Sequence, residues 1–107
     1  MKLLSIKKST RKEKKWMAEF CHCCKTTQCE PSKRQLIHFG AVKDGKPMDD
    51  FTRTGDVAQR ERYRKRHASG KTAKPNSADS LSYWILWGDS KSMEENIKFY
   101  KKKFGLI

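Results

Sequence analysis

Trp16-Met17-Ala18-Glu19-Phe20 and Leu36-Ile37-His38-Phe39-Gly40 are the stretches on which the fold turns. In the first, Trp16, Ala18 and Phe20 alternate with Met17 and Glu19, the period of a strand with one face buried. The second is a β-type run ending at Gly40. Joined through the cysteine-rich segment that begins at Cys21, the two predict an antiparallel pair with that segment as its loop.

Working outward from the pair, Asp44-Gly45 and Lys46-Pro47 read as turns. Asp56 is placed to cap a helix from Val57 to about His67, because its short acceptor side chain satisfies free amides of the first turn. That helix is polar nearly all round. The stretch from Ala68 to Asn76, punctuated by Gly70 and Pro75, reads as an exposed loop. Ser77 or Asp79 opens a second helix in which Leu81, Trp84, Ile85 and Trp87 share a face, and Gly88 ends it. Ser92 with Glu95 has the spacing of a capping box, followed by Met93, Ile97, Tyr100 and Phe104 at helical intervals.

These elements predict an α+β fold: a small antiparallel sheet of two to four strands packed against two to three helices. The Leu81 and Ile97 helices are expected to cover the sheet, with the Arg60 to His67 helix outside and mostly wet. Residues 1–15 read as a basic N-terminal arm and residues 16–105 as the single domain. A chain of 107 residues has room for one modest core, which argues against a deep catalytic cleft.

Charge is the strongest functional signal. Lys and Arg number 25 against 12 Asp and Glu, a net charge of +13 that favours polyanionic partners. The excess is concentrated in three runs: Lys7 to Lys15, Arg60 to His67 and Lys98 to Lys103. The expected partner-binding residues of the first run are Lys7, Lys8, Arg11, Lys12, Lys14 and Lys15. Those of the second are Arg60, Arg62, Arg64, Lys65 and Arg66, and those of the third are Lys101, Lys102 and Lys103. The competing reading of such runs is a solvated surface that only keeps the domain soluble.

All four cysteines fall between Cys21 and Cys29, whereas disulfides that staple secreted domains are usually spread along the chain. A reduced compartment is therefore expected. Cys21, Cys24 and Cys29, with His38 on the next strand, are ligand types that suit a structural zinc, and free thiols are the competing reading. No other cofactor is expected. Nothing around these residues forms a Cys-nucleophile motif, and Gly70-Lys71-Thr72 lacks the upstream glycine of a phosphate loop. Met1 to Ile6 is too short for a signal-peptide core, and no apolar run approaches a membrane span. The helical spacing of Trp84 and Trp87 places them in the core rather than on a base-stacking platform.

Ser9 to Ala18, Ile37 to Ala41, Asp50-Phe51-Thr52, Arg62 to His67 and Tyr83 to Trp87, taken in order, resemble a small uncharacterised family encoded by nucleocytoplasmic large DNA viruses of the phycodnavirus, iridovirus and mimivirus kind. The resemblance covers about residues 7 to 105 and brings no catalytic residue with it; the Cys21 to Cys29 stretch is not part of the pattern. It implies a viral setting, in which small basic proteins accompany the genome or fill gaps between shell subunits. The function expected is that of a non-enzymatic minor capsid or cementing protein contacting acidic faces of neighbouring virion proteins. The alternative is a genome-associated nucleic-acid-binding protein. Either would reside in the virion, and in the host cytoplasm or nucleus during assembly.

Overall fold

The computed structural model describes residues 1–22 and 33–106. Four strands, β1 (Lys2–Lys8), β2 (Lys14–Cys21), β3 (Arg34–Lys43) and β4 (Lys46–Pro47), form one antiparallel sheet in chain order. Six helical elements follow among the described residues: α1 (Phe51–Thr54), α2 (Val57–Arg66), a 3-10 turn (Ala68–Lys71), α3 (Ala78–Leu81) running directly into a π turn (Ser82–Leu86), and α4 (Met93–Lys103). The architecture is α+β, as the sequence pattern predicts.

The β2–β3 pairing places Trp16 opposite Phe39, Ala18 opposite Ile37 and Cys21 opposite Arg34. Because side chains alternate with period two, Ala18, Phe20 and Phe39 share the face that packs into the core, each fully buried. Leu3 of β1 lies opposite Phe20 and joins them. The first fifteen residues are therefore not an arm. Lys2–Lys8 is an edge strand, bulged between Leu3 and Ser5, and the basic stretch that follows is a hairpin leading into β2. The lysines at the ends of β1 mask a short strand whose apolar centre, Leu3-Leu4-Ser5-Ile6, is what the sheet uses.

Gly40 does not end the second strand. It takes φ +82° inside β3, where a Cβ would lie 3.1 Å from Lys15 Cβ and 3.2 Å from Leu86 Cδ1. The glycine therefore marks a close approach between sheet and helix. Asp44 and Gly45 both have positive φ, 53° and 75°, the backbone of a two-residue hairpin turn, and Lys46-Pro47 pairs back as β4 instead of extending the turn.

Asp56 caps α2, accepting from the Gln59 amide, and Ser77 caps α3 by accepting from Ser80. Leu81, Ile85 and Leu86 of the α3–π segment are buried against the sheet, Trp87 just after it is buried against Tyr63 of α2, and α4 packs on the segment through Asn96 and Tyr100. The π turn shifts the buried stripe, so Trp84 leaves the face of Leu81 and Ile85 and is half-buried beside Phe99 and Phe104. Gly88 ends the segment by contact rather than by a left-handed backbone. A Cβ there would meet Trp84 O at 2.3 Å and Asn96 Cγ at 2.7 Å.

Only half of the predicted capping box at α4 forms. Ser92 accepts from the Glu95 amide, while the Glu95 carboxylate turns to the Ser90 hydroxyl at 2.6 Å. The loop before α3 is less exposed than expected. Gly70 is buried against Asp79 O and Tyr83, and the Pro75 carbonyl accepts from the Tyr100 hydroxyl. Burial pushes the Tyr100 phenol well above its usual pKa.

Candidate functional site

The two ends of the first basic run are brought together by strand register. Lys8 faces Trp16 across β1–β2, and Lys14 sits two residues before Trp16, so all three side chains project from one sheet face. Opposite them, β4 turns into α1. Asp50 caps α1 by accepting from the Thr52 amide at 2.9 Å and also receives the Thr52 hydroxyl. Its other carboxylate oxygen pairs with Lys15, whose Nζ also donates to Met48 O. The pair is nearly dry, with side-chain exposures of 8% for Lys15 and 2% for Asp50.

Between these walls lies a cleft of about 380 Å³ lined by Lys8, Ser9, Lys14, Lys15, Trp16, Val42, Gly45, Pro47, Asp50, Thr52 and Arg53. Its surface is mostly apolar. Asp50 is its single acid and is already matched by Lys15, so Lys8, Lys14 and Arg53 are left without an acidic partner among the described residues. The Arg53 guanidinium is steadied by donating to Pro47 O at 3.1 Å. Both lining hydroxyls are committed internally: Thr52 to Asp50, and Ser9 to the Arg11 amide (3.0 Å) and His38 Nδ1 (2.7 Å). The Ser9–His38 separation suits a nucleophile and base, but the amide contact makes this serine the tie of the β1–β2 hairpin.

A larger cleft of about 660 Å³ opens on the other side of Lys15, between the β3–β4 end, α2 and α3. Lys14 and Arg66 both reach it, so the first and second basic runs meet there. Its charges cancel, however: Lys14, Lys15 and Arg66 stand against Asp49, Asp50 and Asp79. Tyr63 lines it, stacked between His67 (4.3 Å) and Trp87 (4.3 Å, 8° between planes). Burial, aided by the Asp79 charge, pushes the Tyr63 phenol up to about 12. The smaller cleft is therefore the electropositive one.

The second run divides by helix face. Arg60 and Arg64 turn inward: Arg64 donates through Nε to Trp87 O at 3.0 Å and through Nη2 to Asp89 Oδ1 at 2.9 Å. Arg60 lies 4.5 Å over the Phe51 ring and reaches the Gly88 and Asp89 carbonyls. Both serve the fold rather than a partner, and the helix is less wet than its composition suggests. Arg62, Lys65 and Arg66 are exposed and make no ion pair among the described residues.

The third run stands apart on α4. Lys101, Lys102 and Lys103 complement the carbonyl end of the helix, and Lys103 covers the Trp84 ring at 4.6 Å. Of the remaining first-run cations, Lys7 lies opposite Met17 on the other sheet face, while Arg11 and Lys12 sit in the hairpin loop. Arg53, absent from the sequence reading, follows the Asp50 cap directly. A capped turn after Pro47 is the local signal that fixes its place.

Of the expected zinc set, Cys21 and His38 lie among the described residues, and they stand apart. His38 lies opposite Met17, four residues along β3 from Arg34, which faces Cys21; at about 3.3 Å per residue they are roughly 13 Å apart along the strand. Cys21 is disulfide-bonded, which removes its sulfur from a thiolate ligand set and runs against the reduced cluster expected from the spacing. Cys24 and Cys29 lie outside the described residues. No group of metal-ligating side chains occurs among the described residues.

A family profile described as a family of unknown function (DUF5754) matches residues 4–67. The chain belongs to that family. The DUF5754 region runs from within β1 to the end of α2, and so takes in most of β1, the other three strands, the Asp50 cap and every residue that lines the smaller cleft. The α3–π segment and α4 follow it. No curated protein and no solved structure matches the chain. No helix among the described residues is long and apolar enough to cross a membrane.

Proposed function

We propose that the chain is a non-enzymatic binding protein that docks on an acidic macromolecular surface, acting as a minor capsid or cementing component of a viral shell. The observation that carries the binding reading is the division of its cations. Lys15, Arg60 and Arg64 are consumed by the fold, while Lys8, Lys14, Arg53, Arg62, Lys65 and Arg66 remain without ion pairs among the described residues. Cations held on strands and a capped helix, and not ion-paired among the described residues, suit charge complementarity with a partner. The viral setting rests on the sequence resemblance.

A protein partner is favoured over nucleic acid because two of the three tryptophans, Trp84 and Trp87, are engaged inside the fold. Trp87 is buried against Tyr63, and Trp84 is packed among Phe99, Phe104 and Lys103, so neither offers the open ring face on which bases stack. Quantitative mass spectrometry of purified particles is expected to find the chain at a fixed ratio to the shell protein. Its presence in infected cells and absence from particles would overturn the proposal. Tight binding to duplex DNA near physiological salt, with a steep salt slope, would transfer the same cations to the genome.

A further inference from the structure

We infer that the cleft beneath the β1–β2 hairpin is the docking point, and that its occupant is an acidic peptide segment of a protein partner that inserts one apolar side chain beside Trp16 while its carboxylates meet Lys8, Lys14 and Arg53. The inference deepens the reading of an acidic protein partner and rests on it.

Charge decides between the two clefts. The larger one is balanced, three cations against three acids, and gives an anion no net attraction. The smaller has four cations against one acid, and that acid is neutralised by Lys15 in a nearly dry pair. Lys8, Lys14 and Arg53 approach from three separate elements, β1, β2 and α1, so their mutual repulsion is relieved by anions bound between them. Arg53 supplies a planar fork that matches a carboxylate.

The wall decides the rest of the occupant. Trp16, Val42 and Pro47 make the lining mostly apolar, and burying a hydrocarbon side chain there is favourable in proportion to area. A nucleotide base recognised by its edges would need directed polar partners. The two hydroxyls that line the cleft are taken by Asp50, His38 and the Arg11 amide. A continuous nucleic-acid strand would also need a cationic track, whereas the unpaired cations of α2 do not line this cleft.

The test is an amide and indole NMR titration of the full chain at about 0.15 M salt. The probe is a synthetic peptide with one phenylalanine flanked by glutamates. Controls are a peptide of equal charge with the phenylalanine replaced by glycine, and a short single-stranded DNA of equal charge. The expected result is saturable shifts at Lys8, Lys14, the Trp16 indole and Arg53. Affinity should fall roughly tenfold in Lys14→Gln/Arg53→Gln and less than about twofold in Arg62→Gln/Lys65→Gln/Arg66→Gln. The glycine peptide should bind measurably more weakly.

Retained spectral dispersion in each variant separates lost binding from lost fold. Shifts that map to α2, or affinity lost only in the α2 variant, would overturn the assignment of the cleft while leaving an acidic protein partner in place. Equal binding of the two peptides would remove the apolar anchor. Stronger saturable binding of the DNA in the cleft would replace the peptide with nucleic acid. No binding by either peptide would sink both this inference and the acidic-partner reading.

Discussion

Asp50 joins the fold to the site. One carboxylate caps α1, receives the Thr52 hydroxyl and holds Lys15, so a single side chain at 2% exposure links β2, β4 and α1. Removing one partner of a buried pair leaves an uncompensated charge, a loss on the order of 3–5 kcal/mol. Asp50→Ala should therefore lose about 3 kcal/mol in urea unfolding, more than an exposed cap alone would give. Lys15→Met/Asp50→Asn should be less destabilised than the two single changes added together, because both charges leave at once. Additive losses would mean that the ion pair does not couple them. Asn96 plays a comparable role in the helical layer, donating to Ile85 O and Ser90 O and accepting from the Ser90 amide while 3% exposed. The hydrophobic spacing that located Met93, Ile97 and Tyr100 carries no sign of it, since a buried amide breaks the apolar pattern it sits in.

At the level of elements, α2 shows how one run of like residues divides into two roles. Its start was legible from Asp56, and its lack of an apolar face was legible from composition. What holds it to the protein is Arg60 and Arg64, four residues apart and hence on one helix face, turned to the carbonyls that end the π segment. Arg64→Ala removes charge-assisted hydrogen bonds to Trp87 O and Asp89 and is expected to cost about 1.5–3 kcal/mol. Arg62→Ala, on the wet face, should stay within about 0.5 kcal/mol. Equal effects in thermal or chemical unfolding would mean that α2 is not anchored through its inner arginines. Sequence alone could not separate the two, because the difference lies in where the C-terminus of the π segment ends and not in the helix itself. The lysine-flanked β1 was hidden for a related reason: charge at both ends of a short strand outweighs its apolar centre when the stretch is read in isolation, and only pairing with β2 gives that centre a face to bury.

For the whole molecule, the DUF5754 match and the core do not coincide. The matched region supplies Ala18, Phe20, Phe39 and Phe51, while Leu3 precedes it and Leu81, Ile85, Leu86, Trp87 and Tyr100 come from the chain that follows it. A sheet with one apolar face needs a second layer. A chain ended after His67 should therefore give a collapsed amide spectrum without cooperative unfolding, although it contains every residue of the electropositive cleft. A dispersed, cooperatively folded fragment would show that α3 and α4 are dispensable to the site.

The sequence by itself determined the α+β class, the central strand pair, the caps of α2, α3 and α4, and the clustering of the charge excess, because each is set by local periodicity, capping chemistry or simple counting. Tertiary structure alone decided which cations stay exposed. Asp50 lies far along the chain from Lys15 yet neutralises it; the end of the π segment claims Arg60 and Arg64; and strand register gathers Lys8, Lys14 and Trp16 beside Arg53. Whether a charge is spent or available depends on which groups lie within a few ångströms in space, and that is fixed by packing rather than by neighbours in the chain.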